Sequence, residues 1–148
     1  MRIALSADHA GVDLKDALVQ WLTETGHEVQ DLGTHGHESV DYPDYGARLA
    51  RVIEAGGAER GIVVCGSGIG ISIAVNRFDG CRCALVNEPL SAALSREHND
   101  ANVLAFGGRL TGVDLAKACV TAFLTTEFAG GRHQRRVDKL THELELKD

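Results

Sequence analysis

The segment from residue 61 to residue 74 is the part of this sequence that most constrains the fold. Its apolar run at 62–64 has the character of a buried strand and ends on Cys65, and glycines follow at 66, 68 and 70. A helix-like pattern begins at Ile71 without an intervening loop. A buried strand that passes into a helix over so few residues is typical of an α/β protein, and here it places a thiol at the turn.

The position of Cys65 gives that thiol a distinctive chemical environment. Free backbone N–H groups and the positive end of the helix dipole converge where a helix starts. Such a place favours the thiolate over the thiol, and it stabilises a negative charge that develops on a nearby oxygen. The sequence therefore places a potential base and a potential anion hole within one turn of each other.

Strand-like and helix-like segments alternate along the whole chain. This alternation predicts an α/β fold, a three-layer α/β/α sandwich around a five-stranded parallel, Rossmann-like sheet. The predicted strands are 2–7, 28–32, 61–65, 81–86 and 103–106. Six helices are predicted. The first three are 12–22, 41–55 with Asp41 as its cap, and a helix after Cys65 that ends near residue 78. The last three are 89–99, a helix that the pair Thr111 and Asp114 caps and that ends at about 123, and a helix from about 134 to 146.

Polar residues and glycines gather directly after the predicted strands. Asp8 and His9 follow the first strand, the Cys65 turn follows the third, and Arg109 follows the fifth after two glycines. Ligands of parallel α/β sheets bind at the carboxyl ends of the strands. If the first and third strands are neighbours, His9 and Cys65 face one cleft.

Length, charge and cysteine usage exclude several classes of function. A chain of 148 residues predicts one domain, and a net charge of −6 argues against a nucleic-acid partner. No apolar run approaches a membrane span, and no signal peptide opens the chain, so we expect a reducing, cytoplasmic setting. The cysteines at 65, 81, 83 and 119 offer no zinc ligand set, and His35 and His37 lack a third ligand, so no metal is predicted. Cys81 and Cys83 are expected on one face of one strand, buried as small apolar residues.

The glycine-rich turn fits none of three familiar phosphate-binding motifs. A Cys-x5-Arg phosphatase loop needs arginine where Ile71 stands. A dinucleotide fingerprint needs glycine or alanine there and an acid near Val86, and a P-loop needs Gly-Lys-Ser or Gly-Lys-Thr. A catalytic thiol and a merely buried cysteine beside packing glycines both remain compatible with the pattern.

Two further polar clusters are open to two interpretations each. Arg132 and Arg136 share one helix face, which suits an anion such as phosphate or a solvated basic turn. His98, with Asn99 beside it, ends the fourth helix, where it is either a catalyst or a partner of the helix dipole. Asp8 is either a substrate contact or a helix cap.

Taken together, the motifs resemble one family, the type B ribose-5-phosphate isomerases with the related allose- and galactose-6-phosphate isomerases. The resemblance runs nearly end to end. It rests on Asp8-His9-Ala10-Gly11, Asp41-Tyr42-Pro43, the run from Cys65 to Ala74, Asn87-Glu88-Pro89, His98-Asn99-Asp100, the run from Asn102 to Gly107, and Gly130-Gly131-Arg132-His133-Gln134-x-Arg136-Val137.

The resemblance implies a role for each matching position. Cys65 would be the base that moves a proton between carbons 2 and 1, and His98 would open the sugar ring with Asn99 beside it. Ser67 stands where many members have threonine, and Cys65 places the chain in the branch that uses cysteine rather than glutamate as the base. The implied enediolate cradle is Gly66, Ser67, Gly68, Ile69 and Gly70, and the implied substrate contacts are Asp8, His9, Tyr42, Arg109, Arg132 and Arg136, the arginines chiefly for phosphate.

The resemblance also implies an assembly and an activity. Members are dimers or pairs of dimers with strand order 2-1-3-5-4, and His98 and its neighbours cross into the partner's site. The last helix, with Val137, Leu140 and Leu144, is expected to pack on a partner subunit. The implied reaction is cofactor-independent interconversion of ribose 5-phosphate and ribulose 5-phosphate, a step of the pentose phosphate pathway. Alternatives are an isomerase of a six-carbon aldose phosphate such as allose 6-phosphate, a non-catalytic phosphate-binding module, or a subunit that completes a partner's site.

Overall fold

An all-parallel sheet of five strands forms the middle layer of the molecule, and helices cover both of its faces. The computed structural model describes residues 1–141. The strand order is β2-β1-β3-β5-β4, so both the predicted three-layer α/β fold and the strand order implied by the resemblance are confirmed. The strands are β1 (Arg2–Ala7), β2 (Glu28–Asp31), β3 (Arg60–Cys65), β4 (Cys83–Leu85) and β5 (Val103–Gly107). The helices are α1 (Val12–Glu24), α2 (Tyr42–Glu54), α3 (Ile69–Val75), α4 (Pro89–Asn99), α5 (Val113–Thr125) and α6 (Arg132–Asp138).

The alternation of side chains along the central strands divides the core into two layers. Leu5, Ile62 and other residues on one face of the sheet pack with buried residues of α1, α4 and α5. On the other face, Val63 and Cys65 pack with buried residues of α2 and α3. Cys65 therefore lies on the α2/α3 side of the sheet.

β3 lies at the centre of the sheet and brings three strand ends together. Its register pairs Val64 with Ala7 of β1, and Cys65 with Gly107 of β5. The backbone connections continue past the strands, because the Asp8 N–H donates to the Val64 carbonyl at 3.1 Å and the Gly108 N–H donates to the Cys65 carbonyl at 2.8 Å. The residues after β1, β3 and β5 are thus held at one edge of the sheet, which we call the carboxyl edge.

The end of α4 lies at the opposite, amino edge of the sheet. α4 ends at Asn99, and three residues later the Asn102 carbonyl accepts a hydrogen bond from the Gly61 N–H at 2.9 Å, near the start of β3. From Gly61 to Cys65 the strand advances about 13 Å. The topology therefore separates the last turn of α4 from Cys65 by the length of the sheet.

The edge strand β4 is shorter than the predicted 81–86, and α3 ends at Val75 rather than near Phe78. The Arg82 N–H, just before β4, donates to the Asn102 side-chain oxygen at 2.8 Å instead of extending the strand. The Asn76 amide, just after α3, accepts a hydrogen bond from the Cys83 N–H at 2.7 Å and donates to the Cys83 carbonyl at 2.9 Å. Cys81 lies before the strand rather than on it, although both Cys81 and Cys83 pack in the α2/α3 layer.

Two of the predicted helix starts are also corrected. α5 begins at Val113 after Gly112 without a side-chain cap, so the predicted capping by Thr111 and Asp114 is wrong; the Thr111 N–H instead donates to the Gly107 carbonyl at 2.9 Å. α6 begins at Arg132, not near 134, and ends at Asp138.

The predicted caps and the predicted stripe of the last helix have mixed outcomes. Asp41 occupies the N-cap position of α2, but its side chain makes no capping hydrogen bond. Val137 is buried, whereas Leu140 lies past the end of α6 and is 59% exposed. Leu144, with the expected continuation of that helix to 146, lies outside the described residues.

The close approach of α1 to β3 yields a stability prediction. A Cβ at Gly11 would lie 2.5 Å from the Val64 carbonyl oxygen, a backbone atom that cannot move away freely. We expect Gly11→Ala to lower the free energy of unfolding by about 2 kcal/mol, measured by urea denaturation at fixed protein concentration. Gly36→Ala is the matched control, because a Cβ there meets no described heavy atom within 4 Å. Equal stability of the two variants would contradict this account of the packing.

Candidate active site

The Cys65 thiol lies at the mouth of α3 and borders a cavity. The Gly68 N–H donates to the Cys65 sulfur at 3.2 Å, so a backbone amide at the start of the helix binds the thiol directly. Cys65 is only 4% exposed, yet it lines a cavity of about 310 Å³ at the carboxyl edge. The sulfur is therefore largely withdrawn from bulk solvent but borders a space that a small molecule could enter.

The turn after Cys65 can form only with glycine at its sharpest point. Gly68 has a φ of +77°, in the left-handed region, and a Cβ there would lie 2.7 Å from the backbone carbon of Phe106. The Ile69 N–H is held by the Ser67 hydroxyl oxygen at 3.2 Å. Of the amides expected to form a cradle, those of Gly68 and Ile69 thus donate within the turn itself.

Residues from four segments form the walls of this cavity, which we call the cysteine cavity. Tyr42, at the start of α2, lies against the turn so closely that a Cβ at Gly70 would be 2.7 Å from its ring. Arg109 follows β5 and lies over Gly66, since a Cβ there would be 3.1 Å from a guanidinium nitrogen. The lining residues are Asp8, Tyr42, Cys65, Gly66, Ser67, Gly70, Arg109 and Leu110.

Asp8 and His9 have different surroundings, although they are adjacent in sequence. One Asp8 carboxylate oxygen accepts hydrogen bonds from the Ala10 and Gly11 N–H groups at 2.9 and 3.2 Å, so Asp8 organises the turn into α1 while also lining the cavity. His9 is not among the lining residues; its Nδ1 accepts a hydrogen bond from the Val40 N–H at 3.1 Å. β1 and β3 are neighbours, as the expectation for His9 required, and the role of His9 as a substrate contact stays a prediction.

A second cavity, of about 300 Å³, contains the other predicted catalytic residue. It is lined by His98 and Asn99 at the end of α4, by His133 and Arg136 of α6, and by Val137 and Leu140. We call it the histidine cavity. Arg132 precedes His133 and is exposed.

His133 was not predicted as a site residue, and the structure brings it onto His98. The two imidazole rings stack with their centroids 4.5 Å apart and their planes 13° from parallel. Burial lowers the pKa of His133, and the positive charges of His98, Arg132 and Arg136 lower it further. The available signal was its position between two arginines of one motif.

Within one chain the two cavities lie at different edges of the sheet. The cysteine cavity is at the carboxyl edge, whereas the histidine cavity surrounds the end of α4 at the amino edge. The two have no lining residue in common. A single chain therefore does not bring Cys65 and His98 together.

The three other thiols lie in surroundings that favour their protonated form. Burial raises the pKa of Cys81 to about 11 and also raises the pKa values of Cys83 and Cys119, so these thiols hold their protons. All four cysteines are free.

Among residues 1–141, His, Cys, Asp and Glu side chains form no group of three able to hold a metal ion. In the same part of the chain, no helix is both long and apolar enough to span a membrane.

Comparison with known proteins gives the site a family context. The family model described as ribose/galactose isomerase matches residues 3–140. Ribose-5-phosphate isomerase B of Escherichia coli is 49% identical over 140 residues, covering 95% of this chain and 94% of that protein. Ribose-5-phosphate isomerase B of Mycobacterium tuberculosis is 44% identical over 150 residues, covering 97% and 93%.

Solved structures agree with the sequence comparison. The structure of ribose-5-phosphate isomerase B from Clostridium thermocellum superimposes with a TM-score of 0.94 at 50% identity, covering 95% of each chain. The resemblance inferred from the ordered motifs is thereby confirmed, and the chain belongs to the ribose/galactose isomerase family.

Proposed function

We propose that this protein is a ribose-5-phosphate isomerase that interconverts ribose 5-phosphate and ribulose 5-phosphate through an enediolate, without a cofactor. The observation that carries the proposal is the Cys65 sulfur, held at 3.2 Å by the Gly68 N–H on the wall of a small cavity. Relatives of 44–49% identity that bear the name ribose-5-phosphate isomerase B support the choice of substrate.

The thiolate of Cys65 acts as the base of the reaction. It removes the proton from carbon 2 of the open-chain aldose, and the electron pair left behind forms the double bond of the enediolate. The same thiol then returns a proton to carbon 1 while the proton of the hydroxyl on carbon 2 passes to the oxygen on carbon 1, which yields the ketose. A positioned base of this kind accelerates such a step by roughly 10²–10⁴-fold.

The negative charge of the enediolate develops on oxygen beside the start of α3. Gly66, Ser67 and Gly70 line the cysteine cavity, and in this proposal their backbone N–H groups serve as the donors of the cradle. The Gly68 N–H has a different task, since it already stabilises the sulfur. The turn thus separates the groups that hold the base from those that receive the charge.

A second copy of the chain completes the site. His98 and Asn99, with Arg132 and Arg136, lie at the amino edge and reach a Cys65 cavity only if it belongs to another subunit. In a two-fold symmetric dimer, each contact of this kind occurs twice, so two complete sites form. Ile69 and Ile73 of α3 are 52% and 58% exposed beside the Cys65 turn and supply an apolar surface for such a contact.

The subunits divide the substrate between them. Arg109 of the cysteine cavity and Arg132 and Arg136 of the partner hold the phosphate, and Asp8 and Tyr42 contact the sugar. His98 donates a proton to the ring oxygen and the hydroxyl on carbon 1 releases its proton to water, so the bond between carbon 1 and the ring oxygen breaks and the furanose opens. The phosphate is remote from the reacting carbons, so its binding orients the sugar without taking part in the proton transfer.

The four free thiols suit a reducing, cytoplasmic location.

A six-carbon aldose phosphate is the second candidate substrate, because the matching family model spans ribose and galactose isomerases. The same thiol and cradle would act on carbons 2 and 1 of the longer sugar. Only the distance from the reacting carbons to the phosphate-binding arginines would change. The two candidates therefore differ in substrate length and not in mechanism.

Solvent hydrogen exchange distinguishes these candidates. We expect ribose 5-phosphate, incubated with the protein in heavy water, to yield ribulose 5-phosphate with deuterium at carbon 1, detected by NMR. Allose 6-phosphate should react more slowly under the same conditions. Faster labelling of the six-carbon sugar would reverse the substrate assignment, and no labelling of either would leave a non-catalytic phosphate-binding protein.

Replacement of the proposed base tests the mechanism. We expect Cys65→Ala to lower kcat by about 10²–10⁴-fold while the dissociation constant for ribose 5-phosphate changes little, because the phosphate contacts remain. Cys119→Ala, which removes a buried thiol from the other face of the sheet, is the matched control and should keep its activity. Activity of Cys65→Ala within about tenfold of the wild type would exclude Cys65 as the base.

Ring opening by His98 is tested with a sugar that has no ring. The compound 4-deoxyribose 5-phosphate lacks the hydroxyl that closes the furanose, so its turnover does not need His98 as an acid. We expect His98→Asn to lower kcat/KM for ribose 5-phosphate by about 10²-fold, and that for the open-chain sugar by only a few-fold. An equal loss on both sugars would exclude the ring-opening role.

A further inference from the structure

The stacked pair of imidazoles in the histidine cavity is a feature that the proposed mechanism does not use. His98 and His133 belong to different helices, α4 and α6, and their rings meet face to face at 4.5 Å. His98 lies in the last turn of α4, with 39% of its side chain exposed. The Glu97 carboxylate is 3.9 Å from its Nε2, which is too far for a hydrogen bond. Within residues 1–141 no hydrogen bond holds the His98 ring, so the stack is what fixes its plane.

The backbone brings His133 to this position. Gly130 and Gly131 both have positive φ values, +62° and +53°, and turn the chain back before α6 begins. The Ala129 N–H donates to the Glu97 carbonyl at 3.0 Å, which ties this turn to the end of α4. Val137, one turn later in α6, is buried. The placement of His133 against His98 thus follows from the fold and not from a chance approach of two exposed side chains.

Burial and the charges around the pair disfavour a proton on His133. Burial lowers its pKa most, and the charges of His98 of α4 and of Arg132 and Arg136 of α6 lower it further, whereas Glu97 of α4 raises it. The net effect places the pKa of His133 below its ordinary value. An uncharged ring at this position stacks on His98 without adding a positive charge to the cavity.

We propose that His133 is a positioning residue, which holds the His98 imidazole by stacking in the orientation that ring opening of the sugar requires. This role rests on the proposed function. His133 acts through its flat, neutral ring and transfers no proton. An unstacked His98 would rotate freely about its terminal torsion, and misplacement of a proton donor slows the step that it serves.

Two substitutions at position 133 distinguish the contribution of the flat ring from the contribution of its charge. We expect His133→Ala to lower kcat/KM for ribose 5-phosphate by about tenfold, because the stacking partner is lost. His133→Phe keeps a flat ring and should retain activity within about twofold of the wild type. With 4-deoxyribose 5-phosphate both variants should stay within about twofold, since no ring has to open. Arg135→Ala, an exposed neighbour on α6, is the control for general effects on the helix and should match the wild type.

The pH profile gives a readout that a purely structural role would not change. As the pH falls through the pKa of His133, the wild type gains a positive charge on this ring, close to the guanidinium groups of Arg132 and Arg136, and the stack weakens. The His133→Phe variant cannot gain this charge. Its kcat/KM for ribose 5-phosphate should therefore decline less steeply on the acid side than that of the wild type.

The stack itself is measurable without activity. Ring currents from His133 should shift the His98 ring protons upfield in NMR spectra, and this shift should disappear in His133→Ala and persist in His133→Phe.

An equal loss of activity on both sugars, or a rise in KM that phenylalanine does not rescue, would overturn the positioning role while leaving the proposed function intact. A wild-type protein without isomerase activity would overturn the proposed function and this role together.

Discussion

The hydrogen bond from the Gly68 N–H to the Cys65 sulfur is the contact on which the candidate site depends. It exists because the chain makes a left-handed turn at Gly68, where a side chain would meet the backbone of Phe106. That turn lets α3 begin directly after β3, so the free amides of the helix start gather around the thiol. The neighbouring strands then supply the walls, with Asp8 from the end of β1 and Arg109 from the end of β5. The central place of β3 in the sheet thus determines which residues can meet at the cysteine.

The separation of the two cavities is the second constraint, and it follows from the same topology. In a parallel sheet each connecting helix returns to the opposite edge, so a residue at the end of α4 cannot approach the carboxyl end of β3. In one chain, His98 and the arginines of α6 therefore lie apart from Cys65, in cavities that share no lining residue. In the proposed assembly, association of two chains brings the Cys65 of each chain next to the His98 of the other. It also encloses the substrate between subunits, which would limit the access of water to the enediolate.

The fold and one half of the site could be predicted from the sequence, because both depend on local patterns. The run 61–74 identifies a strand, a glycine turn and a helix start, and the structure has all three. The strand order came from the resemblance, since alternation alone does not order a sheet. The start of β4 differs from the prediction because the Asn102 side chain binds the Arg82 N–H, a contact between residues 20 positions apart that no periodicity reveals. The stacking of His133 on His98 was missed for a similar reason, because it depends on how α6 approaches α4.

In the proposed assembly, Cys65 and His98 act on one substrate from two different chains. This sharing of the site is tested by mixing the Cys65→Ala and His98→Asn variants after mild dissociation and reassembly. Each mixed dimer contains one site with both native groups, so random pairing should restore about a quarter of the wild-type activity on ribose 5-phosphate. Activity that stays at the level of the two separate variants, with mixed dimers shown to form by mass spectrometry, would contradict the account.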